Sequence, residues 1–405
     1  MKHAGAMCMA VLIIIAGFVS ANAQETTYPL KVLPPEHKTM VDPQTGAELT
    51  FLTTDPAEDH NLYFHERSWL ADSSMVLFVS NRSDGGLMGY LAETGELVQL
   101  ATPKGGLEGA TAARNRNSVF AMRRQEVVEL ALTVDISSDP ANDPSKVTAE
   151  ERVICAIPEN ELVSTSLNES CDGTLLSIGV GSSGQTASQG PGILIIDLRT
   201  GEVRELCRIP SPPGYGGHVQ FSRTNPNLLS FAGRVNRLMV VDVREGRPRA
   251  VYKEVKDELV THECWWVNDQ LTFCGGLHPK PTEDSHVKVL NVATGEVRII
   301  GAGSWWPNAT PEQISKRNWW HAAGDEQGRW VAADNWHGDI VLFDGNTTRM
   351  RHLTFGHRTY GGGIHPHVGW DRRGKQVVFA SHMLGNVDVC VATIPDDWQN
   401  DLGDD

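Results

Sequence analysis

The sequence predicts an all-β chain, a seven-bladed β-propeller of four-stranded antiparallel blades. Three observations carry that prediction. A unit of roughly 40 residues recurs along the chain. Within each unit, short β-branched apolar runs alternate with turn signals such as Thr94-Gly95-Glu96 and Thr200-Gly201-Glu202. No stretch of the repeating region carries the period of an amphipathic helix. Composition agrees: 405 residues include 39 Gly, 11 Trp and 15 His, a turn-rich chain with unusual aromatic and imidazole content.

The first residues read as an export signal, residues 1–23. Lys2 and His3 open it, Val11 to Val19 form its apolar run, and Ala21-Asn22-Ala23 is a small-x-small cleavage site. The apolar run is well short of the ~20 residues a membrane span needs. The chain is therefore expected to be exported, to the periplasm, with no membrane association once the signal is removed. Cys155, Cys171, Cys207, Cys264, Cys274 and Cys390 remain, and their spacing matches no metal knuckle. Most read as small buried thiols.

Residues 24–58 form a Pro/Thr-rich lead-in whose end, Leu49-Thr50-Phe51-Leu52, can lend a strand to the last blade and close the ring. The propeller then occupies residues 59–398, before an acidic tail at 399–405. The clearest unit runs from His60-Asn61-Leu62-Tyr63-Phe64 through Val76 to Ser80 and on to Leu97-Val98. A degenerate unit covers roughly 105–160. Later units open on Asp172-Gly173, His218-Val219-Gln220-Phe221, His262-Glu263-Cys264-Trp265, Trp320-His321 and Ile364-His365-Pro366-His367. In a propeller the opening strand lines the central channel, so these residues converge from distant parts of the chain.

Thirty-five basic residues against 50 acidic ones leave a net charge of −15. That balance excludes nucleic acid held by bulk charge, and any acidic ligand must meet a local positive cluster. Eleven of the 15 histidines lie at or after His218, and His218, His262, His321 and the His365/His367 pair share one phase of the unit. If His365 and His367 lie in a strand, their side chains share a face. With His321 they would make a three-histidine site suited to Zn, Mn, Fe or Ni rather than Ca; a pair of inner-strand histidines bridging water is the alternative. Arg234 and Arg237 precede a strand and suit a carboxylate clamp. Trp265, Trp266, Trp305, Trp306, Trp319, Trp320 and Trp336 offer faces for sugar rings, although packing between blades accounts for half or more of them.

Several of these motifs together resemble the oligogalacturonate lyase family. They are His60-Asn-Leu-Tyr-Phe, Gly217-His-Val-Gln-Phe-Ser-Arg-Thr-Asn-Pro-Asn-Leu-Leu, Thr261-His-Glu-Cys-Trp-Trp, Asn318-Trp-Trp-His and His365-Pro-His. The similarity runs from about residue 30 over most of the chain and is weakest in the second unit and from Leu277 to Ser285. The resemblance implies a seven-bladed propeller that splits short pectin fragments by β-elimination. It implies His262 as the base, with Arg237, 25 residues earlier, beside it. It implies a manganese site on His321, His365 and His367. Arg234, His218, Trp265 and Trp320 are the expected substrate contacts. The family's fourth metal ligand, a glutamine, is replaced here by Gly362. The ion would then have three protein ligands, or a fourth from His357, Tyr360 or His337.

The expected function is a lyase acting on a short acidic oligosaccharide, an oligogalacturonate, with a divalent cofactor, Mn2+. A lyase for another uronate glycan and a non-catalytic periplasmic binding propeller are the alternatives. Paired carboxylates on neighbouring inner strands, which a hydrolase would need, are not evident.

Overall fold

The computed structural model describes residues 26–82, 85–182, 190–209, 216–277, 286–303, 316–358 and 365–399. The signal segment, Trp305, Trp306, Tyr360, Gly362 and residues 400–405 of the acidic tail lie outside the described residues. Seven antiparallel sheets of four or five strands form the ring, and helix is confined to a 3-10 turn at Asp396–Gln399 among the described residues. The all-β propeller expected from the repeat is the fold.

The lead-in is woven into three blades. Thr26–Pro29 pairs with the outer strand of the second blade, and Lys31–Leu33 with the outer strand of the first. Glu48–Phe51 pairs with Asp388–Thr393, and Lys38–Val41 pairs outside it. The seventh sheet thus joins both ends of the described chain, so opening the ring breaks a sheet rather than a loop contact. The second unit, degenerate in sequence, carries the longest strands, Glu126–Asp135 and Lys146–Ala156.

The core lies between blades. Of seven hydrophobic clusters among the described residues, six each span two neighbouring sheets, and the one between the sixth and seventh blades also takes in Phe64 and Cys264. Trp265, for example, packs with Leu238 and Val240 of the fourth blade and Leu271 and Phe273 of its own. Trp266 joins the cluster between the fifth and sixth blades. All six cysteines of the described chain are unpaired thiols, four of them buried.

The blades present the channel with a strict phase. In blades four to seven the inner strand ends on Ser222, Trp266, Asp325 and Asp371, each donating its amide to the carbonyl that opens the next strand. Four residues before these stand His218, His262, His321 and His367. Three of those four, with Gly109 at the same place in the second blade, adopt positive φ: 55° at His218, 52° at His262, 50° at His367 and 58° at Gly109. Ladder register shifts by one residue between Gly217 and Gln220 and between Thr261 and Cys264, a β-bulge at each histidine. A bulge re-aims the side chain it carries, and a left-handed non-glycine residue costs on the order of 1–3 kcal/mol. The fold accepts that cost at three histidines of one rim.

Candidate metal and acid–base centre

His321 is fully buried on Trp319–Gly324, where its amide and Nδ1 each lie 2.8 Å from a carboxylate oxygen of Asp334 on the next strand. Its Nε2 is buried without a hydrogen-bond partner. A neutral imidazole can donate from Nδ1 and keep a lone pair on Nε2, the tautomer this carboxylate selects. The ligand atoms of His321, His365 and His367 lie within 4.8 Å of one another. Burial holds all three imidazoles below the usual histidine range, so they are neutral, the form that binds metal. An orphaned buried nitrogen, a carboxylate behind it and two further imidazoles fit a divalent ion of nitrogen preference.

His365 and His367 meet for a different reason from strand alternation. Both precede the short strand Gly369–Trp370, and the positive φ of His367 turns its ring towards His321, with ring centres 4.6 Å apart. His357 is not available as a ligand: its Nε2 is 2.9 Å from Thr354 Oγ1 and its Nδ1 2.8 Å from Ser381 Oγ. It is a satisfied core histidine, pushed by burial down to about 3.

His262 stands against this cluster, its ring centre 4.1 Å from that of His321 and 4.9 Å from that of Trp320. Its Nδ1 is 3.1 Å from Thr261 Oγ1. With Nδ1–H donating there, Nε2 carries the free lone pair. Burial first, then the neighbouring histidines and Arg237, hold the ring well below the usual range and keep it neutral.

Arg237 reaches the same rim through Glu263. Its Nε donates to Glu263 Oε2 at 2.8 Å, and its Nη2 lies 3.3 Å from Nε2 of His218. His218 Nδ1 is 3.5 Å from the other Glu263 oxygen, and Tyr63 Oη is 3.3 Å from His218 Nε2. Glu263 is fully buried, so this one carboxylate offsets the guanidinium, while its other oxygen faces His218 without a hydrogen bond. Tyr63 lies at the middle of the rim, its ring centre 4.5 Å from His367 and 4.8 Å from His65. A groove of about 540 Å³ opens from Tyr63, His65 and His218 towards Gly109, Arg124 and Thr165.

One expected substrate contact lies elsewhere. Trp265 is 1% exposed and donates its indole N–H to Gln220 O, so it packs between blades and cannot stack on a ligand. Arg234 is exposed in the turn after Leu228–Ala232. Trp320 does stand at the rim, between His262 and Trp336. Asp334, Glu263, Tyr63 and His65 were not among the expected site residues. Glu263 follows His262 directly, and strand alternation would turn it away; only the bulge lets both serve one site. Asp334 reads in sequence as the polar end of an apolar strand.

The fold and this rim define a seven-bladed propeller with a histidine-rich centre at one mouth of its channel. The structure is similar to that of oligogalacturonate lyase from Vibrio parahaemolyticus, with 17% identity, a TM-score of 0.70, and coverage of 92% of this chain and 100% of the other. It is likewise similar to an oligogalacturonate lyase in complex with manganese, at 18% identity, a TM-score of 0.69, and 93% and 99% coverage. A puromycin-hydrolyzing peptidase from Mycobacterium tuberculosis matches at 14% identity and a TM-score of 0.51, over 87% of this chain and 58% of that one. No protein-family model matches the sequence, and no curated protein matches it. No helix among the described residues is long and apolar enough to cross a membrane.

Proposed function

We propose that this protein is an exported lyase that cleaves short uronate oligosaccharides, oligogalacturonates foremost, by β-elimination with a divalent ion, Mn2+ by preference. The observation that carries the reading is the approach of a neutral, half-buried His262 to within 4.1 Å, ring to ring, of a three-histidine ligand set. The manganese complex of a similar propeller supports the choice of ion.

His321, His365 and His367 would hold the ion. When bound, it would supply positive charge to the uronate carboxylate, which makes the adjacent C5 proton more acidic. The Nε2 lone pair of His262 takes that proton, and the electron pair left on C5 forms the C4–C5 double bond as the C4–O bond breaks. The departing glycosyl oxygen leaves with both bonding electrons and is protonated to the alcohol, and His262 returns its proton to solvent. Arg237, held by Glu263, adds a second cation where carboxylate charge grows, and His218 and Tyr63 complete the polar wall. Trp320 gives the sugar ring an apolar face.

Incubation with tri- and tetragalacturonate, with and without added Mn2+, tests this. The expected product is a 4,5-unsaturated uronate, seen by its ultraviolet absorbance and by mass. Hydrolysis products, or no product from any member of a uronate panel, would sink the reading.

A further inference from the structure

The channel beyond the histidine rim carries a second phase-matched set. One residue after the strand-closing amides of the second, fourth and seventh blades stand Arg114, Arg223 and Arg372. Arg67 of the first blade joins them. The histidine phase and the arginine phase are five residues apart, about 16 Å along a strand. These arginines therefore lie further along the channel than the metal and acid–base centre, and His65 borders both.

Their charges are incompletely answered. Arg67 donates to Glu169 Oε2 at 3.0 Å and to Ala112 O, and Arg372 to Glu326 Oε1 at 3.1 Å and to the carbonyls of Trp69 and Ala113. Arg223 meets a carbonyl, Gly324 O at 2.6 Å, and the Cys264 sulfur, but no carboxylate among the described residues. The Arg114 guanidinium makes no hydrogen bond or close ion pair among them, its Nε is buried, and Glu326 acts on it only at longer range. The Nε of Arg372 is buried without a partner as well. Glu169 is already shared by Arg67, Arg116 and the Arg114 amide. Glu66, pushed up to about 8 by burial, is protonated at neutral pH and adds no negative charge. Four guanidiniums thus face two carboxylates, and the crowding pushes Arg67 down to about 9, burial first and Arg114 next.

Arg67, Arg114, Arg223 and one carboxylate residue, Glu326, border a cavity of about 30 Å³, whose other walls include His65, Glu66, Phe64, Trp265 and Trp370. That volume holds one or two water-sized species, too little for phosphate or sulfate. A partly buried guanidinium without an ion-pair partner is stabilised when an anion joins it.

We propose that this cavity is a small-anion site, taking one chloride between Arg114 and Arg223 with Arg67 beside it. The ion would tie together the first, second and fourth blades, which are far apart in sequence, and would act as a keystone of the lower channel. This inference is independent of the lyase reading.

Thermal melting of the full mature protein tests it, with chloride raised from zero to 200 mM while sodium gluconate keeps ionic strength constant. Wild type is expected to gain a few degrees, saturably, in chloride and in bromide. Arg114→Met is expected to lose that dependence. Equal melting in gluconate and halide, or an unaltered halide response in Arg114→Met, would overturn the site. Should Arg114→Met not fold, bromide-soaked crystals of wild type decide the matter. An anomalous peak in contact with Arg114 and Arg223 supports the proposal, and an empty cavity refutes it.

Discussion

Asp334 grips His321 twice, through its backbone amide and through Nδ1, both at 2.8 Å, and so leaves Nε2 as the imidazole's one free nitrogen. Replacing Asp334 by Asn keeps the acceptor for the amide but puts an N–H opposite Nδ1. The ring must then move its own proton to Nε2, the atom the ion needs. Loss of such an outer partner typically costs 10–100-fold in metal affinity. Asp334→Asn is therefore expected to bind Mn2+ at least about 10-fold more weakly in a titration followed by calorimetry or by the resonance of the free ion. Unchanged affinity would remove His321 from the ligand set.

His262 touches the same cluster but is not required to hold the ion. His262→Ala is expected to keep Mn2+ affinity within a few-fold and to abolish unsaturated product, a loss of at least about 100-fold for removing a general base. The two measurements separate the roles. A variant that loses metal and activity together would make His262 a ligand rather than a base, and one that keeps full activity would end the base assignment.

The ring and its repeat were legible because each blade buries two β-branched strands and must turn four times, which leaves a periodic trace. The rim histidines were legible through phase, since one phase of a propeller strand means one radius and one height. What the residues around them do was not legible, because strand alternation is broken where it matters. The left-handed bulge at His262 brings Glu263 to the side of Arg237 and His218, against the period-two rule. Trp265 was misplaced for the related reason that, beyond the bulge, the strand resumes its alternation and sends this indole between blades. The arginines of the lower channel passed unnoticed because four single residues scattered over 306 positions carry no local signal.

The two tryptophans assigned to substrate now separate. Trp265→Ala should create a cavity in the cluster between the fourth and fifth blades and lower stability by about 3–5 kcal/mol, measured by denaturant unfolding. Trp320→Ala removes a half-buried rim side chain and should cost much less stability while raising KM for oligouronates several-fold. Equal destabilisation by both, with KM unmoved, would mean that Trp320 is also a packing residue.

At the seam between the last blade and the first, Asp388 is fully buried and close enough to Asp59 for the two carboxylates to repel. Arg82 reaches Asp59 at 3.2 Å, whereas Asp388 receives only the Asn386 amide at 3.3 Å and has one oxygen without a partner. Burial, then Asp59, pushes the Asp388 carboxyl up to about 7 from an ordinary 3.8. The folded chain therefore binds this proton more tightly than the unfolded chain does. The associated stability is complete below about pH 4 and drains away as pH rises through 7. Asp388→Asn keeps the shape, carries no charge and can donate towards Asp59. It is expected to melt higher than wild type at pH 8, by on the order of 1–3 kcal/mol, the cost of a buried unsatisfied polar group. The gap between the two proteins should narrow as pH falls through 7 and close below about pH 4, where Asp388 is protonated in both the folded and the unfolded chain. A difference that is the same at both pH values would mean that packing, and not charge, sets the effect at this seam.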